Sequence, residues 1–563
     1  MSKLMHNKEV LIMNKSPYDN LQVVTPHYVD VEIEDAAEVI PEKSSEPVLP
    51  KEKPVKPAMK TITLTSPPQY SSMSITNIKS IKQHVIPFEE TLLVPDTKPD
   101  MAEVLLAEGR LSLDDSDSIT FYTVYRSDSA SDIPLEVIQS QIHLKINEQW
   151  IDSETSTYYT KGTLRNLQAQ KCNERKFIAK GEIVLTVTEL EVTEVSTFKG
   201  IGDPDLVCRS ENMQIAALCL EKEEITDISQ EINVSSDAPA PVKLLQQSVE
   251  ITESHRQVTS GKLVINGVIT SRILYLGESD GENQLCSRTI KTDFTQFVPV
   301  TDSIDPELIA IDFRGCNLDI AIASNRQFML QGQVKTSIYG YCHEKIDMVT
   351  DTYHKSYDVS FDFNETPLTE IKGTVSGEIS SREVISLEDE SHKPSRLLSG
   401  YYNLTDISAQ IEGSRIIIDG KIPVKILALD ADNVPFVIEA SVPLRGSLEI
   451  PPGCHESEVH LTYCIRDFWF DEINTRQIEV NISAPVTIWM CEENKFTTLR
   501  NIALYETDDS TRKYSISLCV TGENDTLWHI AKRCKSHVDD IAKLNNIDPS
   551  GALPAGTKLL IMK

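Results

Sequence analysis

The sequence predicts a mainly β protein: tandem antiparallel β-sandwich or open-barrel repeats, followed by a small α+β unit in the order strand, helix, helix, strand. Three observations carry that expectation. Long segments alternate apolar and polar side chains with a period of two, which gives a strand one buried and one wet face. A stretch in the middle of the chain recurs, without a gap, 153 residues further on, the mark of a duplicated domain. The last fifty or so residues instead space their apolar side chains three to four apart between two short strand-like runs. With 563 residues there is room for about three or four domains.

Residues 1–75 read as an extension. Pro41, Pro47, Pro50, Pro54, Pro57, Pro67 and Pro68 punctuate a stretch rich in Glu, Lys and Ser, too poor in apolar surface to offset the ordering of the chain, so a disordered tether is expected. Val10–Met13 and Tyr28–Ile33 are short apolar runs within it, readable as docking peptides or as fortuitous. A first β unit is expected over 76–200, ending in the strand Arg175–Leu185. Second and third units are expected over 225–345 and 380–495. Pro241–Leu276 falls on Pro394–Leu429, with Lys262–Gly267 on Arg415–Gly420, and Arg326-Gln327 falls on Arg476-Gln477 at an offset of 150.

Within the third unit, Ile416, Ile418, Gly420, Ile422, Val424, Ile426 and Ala428 share one face of a strand, opposite Asp419, Lys421, Pro423 and Lys425. A second strand sets Ile478, Val480, Ile482, Ala484, Val486 and Ile488 against Gln477, Glu479, Asn481 and Ser483. In the second unit Leu263, Ile265, Gly267, Ile269 and Ile273 face inward. Pro423 and Pro485 interrupt the polar faces, which predicts edge strands or bulges there.

The tail, 513–563, is read as a unit of its own. Asp525 or Thr526 caps a helix whose stripe is Leu527, Ile530, Ala531 and Cys534. Ser536 caps a second helix with Val538, Ile541 and Leu544 inside, and Asn545-Asn546 ends it. Tyr514–Val520 and Thr557–Met562 are the flanking strands, and Trp528 is expected in the core.

Charge and motif content narrow the function. A net charge of −31 and a pI near 4.8 argue against nucleic acid as a partner, since phosphate binding needs clustered Lys and Arg. From Lys513 onward seven basic residues face five acidic ones, so the tail is about +2 and the remainder about −33. No secretory signal is read in Met1–Lys15, and no run approaches the ~18 apolar residues of a membrane span. Eleven cysteines at irregular spacing fit free thiols in a reducing cytosol. Cys454-His455 with His460, and Cys342-His343-Glu344, lack zinc spacing. No phosphate loop, Gly-x-Ser-x-Gly elbow or His-Glu-x-x-His helix occurs, and Gly200-Ile201-Gly202-Asp203 reads as a hairpin turn. A protein without catalytic residues, cofactor or metal is expected.

Two resemblances add to this. Asp525-Thr526-Leu527-Trp528-His529-Ile530-Ala531-Lys532-Arg533, Val538–Asn546 and Leu553-Pro554-Ala555-Gly556-Thr557 recur in the order found in LysM modules, and the tail resembles that family. The usual turn glycine before Asp525 is Asn524 here, the next residue most tolerant of positive φ. Val94-Pro95-Asp96-Thr97-Lys98-Pro99-Asp100, followed by tandem β repeats and a terminal LysM, resembles the SPOCS-domain proteins of anaerobic spore-formers over residues 76–563. The LysM resemblance implies a partner- or glycan-binding groove at Asp525, Thr526, Leu527, Asn546, Ile547 and Asp548. The SPOCS resemblance implies a scaffold in the mother-cell cytoplasm, at the forespore surface. Its LysM would bind a SpoIVA-like coat ATPase and other coat proteins, with self-association open. Peptidoglycan glycan is the alternative ligand.

Overall fold

The computed structural model describes residues 60–64, 66–113, 117–128, 134–144, 157–301, 304–387, 393–506, 516–549 and 553–562. Most of the expected extension, including Val10–Met13 and Tyr28–Ile33, lies outside them. Its last part does not: strand β1 (Thr61–Ile62) pairs with Tyr505 and Leu504, and the next strand begins at Gln69. Tyr70, Met73 and Ile75, within the expected extension, are thus part of a ladder.

Three sets of strands follow. The first is β2 (Gln69–Leu93), β3 (Met101–Ser112), β4 (Ser118–Ser127), β5 (Leu135–His143), β6 (Thr157–Asn173) and β7 (Lys176–Gly200). The second is β8 (Leu206–Asn233), β9 (Ala240–Thr259), β10 (Lys262–Ser279), β11 (Glu282–Pro299), β12 (Ile309–Ser324) and β13 (Gln327–His354). The third is β14 (Tyr357–Ser386), β15 (Arg396–Tyr402), β16 (Ser408–Glu412), β17 (Arg415–Leu429), β18 (Pro435–Glu449), β19 (Glu458–Tyr463), β20 (Asp467–Asn474) and β21 (Gln477–Glu506). The division at 76–200, 225–345 and 380–495 stays our proposal for the units, with strands running past these bounds.

Each set builds two antiparallel sheets. β2-β7-β6 faces β3-β4-β5, and β8-β13-β12 faces β9-β10-β11. In the third set β21 lies between β14 and the pair β19, β20, facing a sheet in which β17 lies between β18 and the pair β15, β16. The period-two faces account for the sandwiches. Phe121 and Tyr125 pack against Phe177 and Ile183 in the first. Ile269 and Ile273 meet Phe328 and Val334 in the second, and Ile422 and Ile426 meet Ile478 and Ile482 in the third.

Neither proline marks an edge, because β17 and β21 are central strands. Pro423 lies opposite the gap between β15 and β16, where its carbonyl accepts from Asn403 N at 3.0 Å. Pro485 lies opposite the gap between β19 and β20 and accepts from Cys464 N at 3.4 Å. The missing N–H of each thus falls where the neighbouring strand is broken. The other two sets instead carry a bulge opposite the central strand, three residues before the point that matches Pro485. Asn166 (φ 55°) before buried Leu167, and Asn317 (φ 47°) before buried Leu318, bulge opposite Gly181 and Gly332. A Cβ on Gly332 would sit 2.3 Å from the Asn317 carbonyl oxygen.

The Val94–Asp100 segment joins β2 to β3 and is held by Arg175. Its guanidinium donates to the carbonyls of Lys98 (2.8 Å), Pro95 (2.9 Å) and Val94 (3.2 Å). Arg326 repeats this at the β8–β9 turn, donating to Ser235 O (2.7 Å) and Ala238 O (2.9 Å).

Beyond the sandwiches the long strands continue as three two-stranded ribbons that merge into one hub. Leu190, Tyr341 and Cys491 share one apolar layer; Val195, Ile346 and Phe496 a second; Phe198, Val349 and Leu499 a third. The steps between copies are 151 and 150 residues in every layer, so the three ribbons enter in one register. Tyr159 stacks on Tyr339 with centroids 3.9 Å apart, and Tyr341 meets Trp489 edge-on at 5.8 Å.

A second three-way junction lies between the other sheets. Val124, Leu274 and Leu427 meet there, beside a polar cluster from all three sets. Arg272 lies 3.0 Å from Glu250 and 3.9 Å from Glu108, Tyr402 donates to Glu250 at 2.5 Å, and Tyr401 donates to Gln246 at 3.1 Å. Burial raises the Glu108 pKa, with Arg272 pulling it the other way.

One reading of the cysteines is corrected. Cys219, at the bulge where β8 leaves its sandwich, is disulfide-bonded to Cys342 of β13, Cα to Cα 5.9 Å. Antiparallel pairing brings together two thiols 123 residues apart, which spacing could not show.

Gly332→Ala should destabilise the protein by about 1–3 kcal/mol, since φ is +144° and the space is filled by backbone. Gly413→Ala, at a turn with φ +61° but open space, should cost only the backbone strain, about 1 kcal/mol. Urea midpoints of the two variants check the order.

Candidate functional site

The tail folds as β22 (Ile516–Val520), α1 (Leu527–Cys534), α2 (Val538–Asn545) and β23 (Lys558–Met562). β22 and β23 pair antiparallel from Ile516↔Met562 to Val520↔Lys558. Leu527, Ile530, Ala531, Ile541, Ala542, Leu559 and Ile561 form the core.

Thr526 is the N-cap of α1, its Oγ1 accepting from His529 N at 3.2 Å. Asp525 closes the preceding turn instead, accepting from Gly522 N at 2.8 Å, and Asn524 there takes φ 64°. Ser536 does not cap α2. His537 holds that position without a side-chain bond, while Ser536 Oγ donates to Met562 O at 3.1 Å. Asn546 ends α2 in the left-handed conformation, φ 56°. Leu544, expected inside, is 39 % exposed, because the buried stripe of α2 centres on Ile541 and Ala542, and at ~100° per residue Leu544 points well to one side of it.

The implied groove is brought together only in part. Asp525, Thr526, Asn546 and Asp548 lie on the two loops with their side chains wholly or partly exposed. Leu527 is 3 % exposed and belongs to the core. Ile547 is half-buried and packs on that core, so it is an anchor of the loop, not an exposed contact. Asn545, read only as a helix stop, joins α2 to β23: its amide donates to Leu560 O at 2.6 Å and accepts from Leu560 N at 2.7 Å.

Trp528 is not simply core. Its Nε1 donates to Asp351 Oδ2 at 2.7 Å, and Lys532 Nζ reaches Asp351 Oδ1 at 2.5 Å. Lys535 pairs with Asp358 at 2.6 Å. Tyr353, 4 % exposed, enters the core of the tail, meets Trp528 edge-on at 5.0 Å and donates to Ser536 O at 2.6 Å. The tail is therefore seated on the end of the β8–β13 ribbon and the start of β14. Burial alone would raise the Asp351 carboxyl, but the bonds from Lys532 and Trp528 outweigh it and hold its pKa below the usual carboxylate range. Burial pushes the Tyr353 hydroxyl up to about 12. Nothing in the sequence signals this seat, because its partners stand some 180 residues apart and share no pattern.

On the other side, Ile516, Leu518, Val520, Leu560 and Met562 alternate outward from β22 and β23 and are 40–63 % exposed. Among the described residues no group of three or more His, Cys, Asp or Glu could hold a metal ion, and no helix is long and apolar enough to cross a membrane.

The LysM domain model matches residues 520–561. No curated protein and no solved structure matches the chain. A LysM domain is a binding module, and the match points to glycan of the peptidoglycan kind as a ligand class.

Ile530→Ala should cost about 2–5 kcal/mol as a core truncation, while Leu544→Ala should change stability by about 0.5 kcal/mol or less; thermal melts of the tail signal distinguish them. The seat should also respond to acid. A depressed carboxylate contributes stability that is complete above its ordinary value of about 3.9 and lost as pH falls through the depressed one. The indole resonance of Trp528 should therefore shift only below about pH 4.

Proposed function

We propose that the chain is a non-enzymatic scaffold of spore coat morphogenesis, working in the mother-cell cytoplasm at the forespore surface. Its LysM module binds a SpoIVA-like coat ATPase and so tethers the coat. The Val94–Asp100 motif, the three tandem β units and the terminal LysM support this reading through their resemblance to SPOCS-domain proteins such as SipL. The observation that carries it is the surface of the LysM module. The outer face of β22 and β23 is a continuous aliphatic patch, the kind of surface that marks a protein contact. The two groove loops, 521–526 and 546–557, contain no aromatic side chain of the kind that usually lines a small-ligand site.

The LysM match itself favours a second reading, a peptidoglycan-binding protein, with Asp525, Thr526 and Asn546 as the polar groups of the groove. One experiment separates the two: capture of a SpoIVA-like ATPase, and sedimentation with purified peptidoglycan, by the full chain and its Leu518→Asp variant. Capture should weaken by about 30-fold or more in the variant, the effect of losing an interface anchor. Sedimentation with peptidoglycan, unchanged by the substitution and without capture, would establish the glycan reading.

A further inference from the structure

We propose that Asp351 and Tyr353 are a latch that holds the LysM module closed against the body, and that its release uncovers a Trp528–Lys532–Lys535 face for an acidic protein segment. The inference holds whichever ligand the groove takes, because the bonds that make the seat come from Trp528, Lys532, Lys535 and Ser536, outside the groove loops.

Four observations lead there. The seat is charge-complementary: a module of about +2 places Lys532, Lys535 and an indole N–H on carboxylates of a body of about −33. Lys532 also lies 5.8 Å over the Phe361 ring. The ionic part is accessible to solvent, with Lys532 40 % and Asp358 42 % exposed, so it is screened and weak. The geometry comes mainly from Tyr353, whose ring and hydroxyl reach the module's interior, with the half-buried Val207 of β8 beside it. A contact of one buried ring, one half-buried valine and a few screened pairs is poised to open, unlike a core.

The Asp351–Tyr353 pair is also particular to one of the three sets. Carried along the offsets that align the hub layers, Asp351 falls on Gly200 and Asn501, and Tyr353 on Gly202 and Ala503. An Asp-x-Tyr pair at this point exists only in the second set, so it is not required by the repeat and is explained by the module it holds. Opened, the α1 face would present two ammonium groups, an indole donor and the pocket vacated by Tyr353. That arrangement fits an extended segment with an acidic residue two before an aromatic one.

The test uses the full chain with Asp351→Lys, the isosteric Asp351→Asn, and the charge-swapped pair Asp351→Lys with Lys532→Glu. Two readouts apply: amide exchange across 528–535, and binding of a labelled peptide copying residues 347–355. Exchange should quicken by about tenfold or more in Asp351→Lys, the order set by losing charge-assisted hydrogen bonds. It should rise less in Asp351→Asn, and fall back in the swapped pair. The same rise should follow in wild type at about 1 M salt, where screening is nearly complete. The peptide should bind Asp351→Lys about tenfold more tightly than wild type, because the competing segment is gone. Equal exchange and equal peptide affinity in wild type and Asp351→Lys would overturn the latch, as would a swapped pair no better than the single variant.

Discussion

The structure depends on one constraint: three long ribbons must bury their inner faces against one another. Each central strand begins in its own sandwich and ends in a layer shared with the other two, as Val195, Ile346 and Phe496 show. A ribbon alone would leave that stripe in water, and two-stranded ribbons are marginal by themselves. The sandwiches are closed by local pairing, whereas the hub closes only when all three sets are present and in register. Stability here is therefore not a sum of near-independent repeats, as it is in a linear array.

Polar groups fix how the sets meet. Arg272, Glu250, Glu108 and Tyr402 come from three different sets and lie close together between their sheets. A buried ionic group of this kind adds little net stability but penalises any arrangement that separates its members. Arg175 and Arg326 act more locally, donating to the carbonyls of a turn and so holding its shape.

Much of the β architecture was legible because a strand writes its two faces directly into the sequence. The inner residues of β17 and β21 are the ones the alternation names, and their burial follows. The prolines misled because a missing N–H is harmless at a gap as well as at an edge, and the gap is made by another part of the chain. The first copy was faint because its sandwich strands had diverged. Its identity became plain only from the equal steps between the hub layers. In the tail, the Thr526 cap and the Asn546 stop are local and were readable. Leu544, Ser536 and Ile547 depend on where a short helix ends and on what covers it, which propensity does not fix. The seat on Asp351 and Tyr353, and the Cys219–Cys342 pair, are purely tertiary.

The restriction of the Asp351–Tyr353 pair to one set has a consequence for stoichiometry. The body is close to threefold in its layers, yet a single corner carries the residues that receive the module. Duplication has thus produced an object with three nearly equal corners and a valency of one, whose remaining two ribbon ends are at liberty to diverge toward other neighbours.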